Sequence, residues 1–284
     1  MNNYVQRFLL ENLDIRGAVV HLDSVWQKML KDRRYPDPVM QLLGEMSATT
    51  LLLGDQLKQT GRLTVQLKGD GPISMLVIDC DDSLHLRGMA KYAADVTAQP
   101  VPDLLGHGQL VLTLDMLSMR EAYQSIVPLN GDTIAEIFEH YFKQSEQLPS
   151  RLFLTTSDHA IFGILLQKLP DADQLDPDGW TRVEALTATA QSRAMFELTA
   201  EEILTRLFVE ETIRIFDAQS VSYGCHEDPT KIYDMLQSLG REEVNAILRE
   251  CGEVVVHDDI CNREYRFDAF AIDAIFREAG PTIH

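Results

Sequence analysis

Two short stretches near the C-terminus hold the residues best suited to metal or redox chemistry. One is Cys225-His226-Glu227, and the other is His257-Asp258-Asp259-Ile260-Cys261. Thiol, imidazole and carboxylate donors in two clusters, separated by a small module, are the layout of a structural zinc site. A thiol-rich version of that site needs a Cys at each of positions 227 and 258, where this chain has Glu227 and Asp258.

Other chemistry is not signalled. The sequence has no G-x-x-x-x-G-K-[ST] and no G-x-G-x-x-G, so no nucleotide is expected, and no G-x-S-x-G elbow. Gly69-Asp70-Gly71-Pro72 reads as a tight hairpin turn, because Gly and Asp suit turn dihedrals. His21, His85, His107, His140 and His159 are scattered and read as surface or core residues. Cys80 ends an apolar run and reads as a buried small hydrophobe.

The chain of 284 residues is 45% hydrophobic, enough for a real core. Its net charge of -19 argues against a phosphate-backbone partner and against adhesion to anionic membranes. The start, MNNYVQRFLLENLDIRG, lacks a basic region followed by a long apolar run, and no apolar stretch reaches membrane-span length. A cytoplasmic chain with no nucleic-acid or membrane partner is therefore expected. In that setting four Cys suggest metal or redox chemistry rather than a disulfide framework.

The elements that must carry the clusters can be read from periodicity. Tyr4 to Asn12 has a short-helix pattern, and Gly17 to Leu22 reads as a strand. Val39 to Leu53 reads as a buried helix, with Asp37-Pro38 opening it. Arg62 to Lys68 alternates as a half-buried strand and pairs with Ser74 to Cys80. Leu110 to Leu114 is a further strand, Thr133 to Ser145 an amphipathic helix, and Leu152 to Thr155 with Ile161 to Lys168 a hairpin. The Asp-rich stretch from Pro170 to Gly179 marks a boundary, and Thr199-Ala200-Glu201-Glu202 is a capping box opening a helix. The last part reads as two short helices, a hairpin of Val254–Val256 and Tyr265–Phe267, and a final helix.

Almost end to end, the chain resembles the Hsp33 family of redox-regulated holdase chaperones. The likeness rests on Arg16-Gly17, TVQLKGDGP at 64–72, Arg87-Gly88, NGDT at 130–133 and YFKQSEQLPSRLFL at 141–154. It continues through GILLQ at 163–167, Glu242-Glu243-Val244 and Gly252-Glu253. The resemblance implies an α+β fold: a core domain over 1–172 with a mixed or antiparallel sheet and helices, a helical linker over 173–220, and a small zinc-domain-like α+β module over 221–284. It implies an ATP-independent holdase rather than an enzyme, with unfolding proteins as partners and a homodimer as the active form. It also implies four Cys, in C-x-C and C-x-x-C pairs, that hold zinc when reduced and form local disulfides when oxidised. Zinc loss then unfolds the module, loosens the linker and exposes apolar surface.

On this chain those motifs fall on 225–227 and 258–261, with one Cys of each pair replaced, so neither local disulfide can form. Three readings of the altered site follow. Cys225 and Cys261 with Glu227 and Asp258, or with His226 and His257, can hold zinc more weakly than four thiolates. Alternatively, Cys225 and Cys261 bond to each other, since ligands of one tetrahedral zinc lie roughly 3.8 Å apart. In the third reading, which the sequence favours, apolar packing alone holds the module, thiol oxidation no longer controls it, and heat or constitutive exposure takes over. The expected client surface is Ile203, Leu204, Leu207 and Phe208. The alternatives are a metal-dependent enzyme built on the same cluster, with Glu227 or Asp258 as base, and a relative without chaperone activity.

Overall fold

The structure is a computed structural model and describes residues 3–55, 61–116, 118–119, 121–190, 193–225 and 229–278. It divides into two compact units, Met1–Gly224 and Cys225–His284.

The first unit opens with β1 (Tyr4–Leu10), β2 (Ile15–Leu22), α1 (Ser24–Leu30) and the long α2 (Asp37–Gly54). A meander of β3 (Gly61–Lys68), β4 (Ile73–Asp81) and β5 (His85–Tyr92) follows, then α3 (Val101–Leu105), β6 (Gln109–Met116) and β7 (Tyr123–Val127). Next come α4 (Ile134–Ser145) and the hairpin of β8 (Ser150–Thr156) and β9 (Ile161–Lys168). The segment after it contains α5 (Ala172–Leu175), α6 (Gly179–Ala188), a 3-10 turn at Arg193–Glu197 and α7 (Ala200–Leu207). Three short strands close the unit: β10 (Ile213–Ile215), β11 (Gln219–Ser220) and β12 (Ser222–Tyr223).

These strands form two sheets. The first has the order β10-β1-β2-β9-β8, with β11 also pairing β1, and the second runs β12-β5-β4-β3-β6-β7. Helix α2 contacts strands of both sheets. Its buried residues Val39, Leu42, Leu43, Met46 and Leu51 join Val20, Leu22, Val65, Ile78 and Leu165 in one core. The other face of the first sheet carries a second core, where Phe8, Ile15, Val19 and Ile164 meet Val183, Ile203, Leu204 and Phe208. Residues 173–220 thus hold two helices packed on the first sheet and two strands paired to β1.

The α+β class expected from the sequence holds. Tyr4 to Asn12 is corrected: it is not a helix but strand β1, paired along its length with β2. Its apolar residues at 5, 8 and 9 imitate a helical period because β1 is covered on both faces. Val5 faces the first core, while Phe8 and Leu10 face the second. The expected capping box is present: Thr199 accepts from the Glu202 backbone, and Glu202 accepts from the Thr199 backbone.

The glycine turn at 69–71 is a close-packed junction. A Cβ at Gly69 or Gly71 would fall within 3 Å of backbone atoms of residues 104–106. Asp70 accepts from the His107 backbone N–H at 2.8 Å and locks this contact.

The second unit contains α8 (Pro229–Leu239), α9 (Arg241–Cys251), β13 (Val254–Asp258), β14 (Arg263–Phe267) and α10 (Ala269–Glu278). Its own small core gathers Leu236, Val244, Val254, Phe267, Ile272 and Ile275. Gly252, with φ 81°, ends α9 in the left-handed region, as glycine does at helix C-termini. No helix among the described residues is long and apolar enough to cross a membrane.

Candidate functional site

The site in the second unit is assembled by a hairpin. Strands β13 and β14 pair from Val254↔Phe267 to Asp258↔Arg263, which leaves residues 259–262 as the turn. Asn262 takes a φ of 50°, a left-handed conformation that Asn tolerates. Asp258 organises this turn. Its Oδ1 accepts from the backbone N–H of Ile260 at 3.0 Å and of Cys261 at 3.1 Å. A short acidic side chain that satisfies two following N–H groups fixes a turn without any ligand.

The turn presents Cys261 to Cys225, and the two are joined by a disulfide with Cα atoms 5.5 Å apart, inside the range such a bond requires. The bond spans 36 residues of sequence and links the chain ahead of α8 to the tip of the hairpin. It corresponds to the second of the three readings of the sequence. The remaining cysteines are free thiols: Cys80 is buried and Cys251 exposed. Burial among Asp81, Asp79 and Asp55 pushes the Cys80 thiol up to about 12, so it stays protonated and unreactive. Cys251 lies at the far end of β13 from the turn. Five residues of extended strand place it on the order of 16 Å from Cys261, beyond the reach of thiol–disulfide exchange in the folded unit.

The other expected ligands are arranged differently. His257 stands in β13 opposite Glu264, with its Nε2 3.7 Å from Asp259 and its side chain about half exposed. His226 and Glu227 lie outside the described residues. Among the described residues no group of three His, Cys, Asp or Glu could hold a metal ion. Sulfurs bonded to each other are not thiolate donors, and the Asp258 Oδ1 is committed to the turn. The disulfide-bonded arrangement therefore does not fit zinc.

The expected client-facing residues sit in the first unit. Ile203, Leu204 and Phe208 are at most 1% exposed, and Leu207 is partly buried against the same core. Sequence periodicity identified them as one apolar face but not what covers it. That cover is the first sheet, and its outer strands β10 and β11, too short to show a period, were not read from the sequence. Tyr4 adds a tie that no motif announces: its hydroxyl accepts from the Ala200 backbone N–H at 2.8 Å, at the start of α7.

A two-sheet core around one long helix, with helices on the outer face and a small appended α+β unit, defines the architecture. A family model described as Hsp33 protein matches residues 3–268. The 33 kDa chaperonin of Methylobacillus flagellatus is 36% identical, covering 97% of this chain and 95% of that protein. The 33 kDa chaperonin of Cronobacter sakazakii is 40% identical, covering 99% and 97%. The crystal structure of the 33 kDa chaperonin, a heat shock protein 33 homolog, from Thermotoga maritima superposes with a TM-score of 0.82. That match covers 98% of this chain and 99% of that one at 21% identity, and it supports the fold. The chain belongs to the Hsp33 family. The names of its curated relatives support a chaperone function and are consistent with a protein that is not an enzyme.

Proposed function

We propose that the chain is an ATP-independent holdase that binds unfolding proteins and keeps them from aggregating, and that heat rather than oxidation opens it. The observation behind this reading is the bond between Cys225 and Cys261. In the four-cysteine pattern each disulfide closes within one short motif and leaves the module free to unfold. Here the bond joins the two sides of the module, so oxidation constrains its unfolded state and favours the folded one.

The client surface is the buried face of Ile203, Leu204, Leu207 and Phe208 together with the sheet beneath it, exposed when these helices lift. A homodimer is the working form, and the cytoplasm the working compartment. The test is suppression of thermal aggregation of a client such as citrate synthase by the pure protein. The expected result is activity on heating without oxidant, undiminished by a prior reductant. An absolute requirement for peroxide or hypochlorite pretreatment would overturn the proposal.

A further inference from the structure

A cavity of about 480 Å³ lies on the first sheet of the first unit, beside Asp55 at the C-terminal end of α2. Its floor is two cross-strand rows on one face, Leu9–Arg16–Gln167 and Arg7–Ala18–Leu165, and its walls include Leu169 and Phe216.

The polar groups on this floor are unequal. Arg7 is neutralised, because its Nε meets the Asp55 carboxylate at 2.5 Å, and Gln219 donates to the same carboxylate at 2.6 Å. Arg16 is not neutralised. Its Nε donates to Gln167 Oε1 at 2.9 Å, and Gln167 is only 1% exposed and braced by Ser150 Oγ at 3.3 Å. The two terminal nitrogens of Arg16 have no partner among the described residues. The cavity therefore carries one net positive charge in a chain of net charge -19. The buried Gln167 amide holds Arg16 by its Nε, the Arg16 side chain is otherwise exposed, and Leu9, Leu165, Leu169 and Phe216 line the same cavity.

We propose that this cavity binds a monocarboxylate with an apolar body. A guanidinium held by its Nε offers its remaining N–H groups as a fork that matches a carboxylate, a charge-assisted pairing stronger than a neutral one. One uncompensated charge suits a monoanion better than a phosphate dianion. Leu9, Leu165, Leu169 and Phe216 provide the contact for a hydrocarbon or aromatic body, and the volume is in the range of small-molecule sites. This site does not involve the cysteine pair, and of the second core only Phe8 lines it, so it stands or falls separately from the holdase reading.

Isothermal calorimetry of the full chain tests it, with octanoate, octan-1-ol and inorganic phosphate as probes. Octanoate should bind, the other two at least tenfold more weakly. Arg16→Gln should weaken octanoate at least about tenfold, the loss expected when a charged hydrogen-bond partner is removed. Arg16→Lys, which keeps the charge and loses the fork, should fall between Arg16→Gln and the parent. Phe216→Ala, at a side chain already 44% exposed, should weaken octanoate without changing the melting temperature. The proposal is overturned if octanoate fails to bind at millimolar concentration. It is equally overturned if octan-1-ol or phosphate matches octanoate, or if the Arg16 variants bind octanoate as the parent does.

Discussion

Cys261 reaches Cys225 because Asp258 shapes the turn that carries it. Asp258 therefore has a local structural role: its carboxylate caps two backbone N–H groups and aims Cys261. Removing the bond should show its worth. For a closed loop of 36 residues the chain-entropy estimate is about 4 kcal/mol. Cys261→Ser should lower the stability of the second unit by about 2–4 kcal/mol in denaturant melts without reductant, and by little once reductant is present. Equal stability of variant and parent under oxidising conditions would rule the bond out.

His21 belongs to the same scale. It is 1% exposed, its ring stands edge-on to Tyr4 at 6.0 Å, and neither ring nitrogen has a hydrogen-bond partner among the described residues. Burial holds its pKa below the ordinary 6.5, against a smaller opposing pull from Asp23. The unfolded chain therefore takes up this proton first as pH falls. Stability is full above about pH 6.5 and declines below it, by at most about 1.4 kcal/mol per pH unit for one proton. His21→Leu should flatten the fall between pH 7 and pH 5, measured by urea unfolding at each pH. An unchanged slope would assign the acid sensitivity elsewhere.

Among the elements, α7 is opened by the Thr199–Glu202 box and is tied to the first sheet by the Tyr4–Ala200 hydrogen bond and the burial of Ile203, Leu204 and Phe208. Thr199→Ala should cost about 1 kcal/mol of helix stability. If α7 covers the client surface, the variant should bind more of a hydrophobic dye and hold clients at a lower temperature than the parent. A variant that melts earlier yet gains no dye binding would place the client surface elsewhere. The capping box was legible in the sequence because its side chains act within one turn. The helix α2 was legible because a long apolar run at helical spacing admits few alternatives. Strand β1 was not, since apolar cover on both faces erases the period of two. At the site, the two cysteines and their motif positions were legible. Asp258 as a turn cap, and the choice of disulfide over metal, depend on hairpin register, which no local pattern fixes.

At the scale of the whole molecule, the second unit has a core of its own, so its stability can change while the first unit stays folded. Limited proteolysis should separate the two. In reductant at moderate temperature, cleavage should concentrate within residues 225–278 while a fragment close to Met1–Gly224 persists. Simultaneous loss of both would mean that the units melt as one body.

The segment carrying α5 to α7 has one further property. It leaves the first sheet from β9 and returns to it as β10 and β11, both paired to β1. It is tethered at both ends, like a strap rather than a tail. While those pairings hold, lifting it frees a closed loop, whose entropy grows only slowly with length, and not a dangling chain. If the face it covers is the client surface, a client held beneath it would lie inside a ring of the chain's own backbone, closed by the pairing of β10 and β11 with β1.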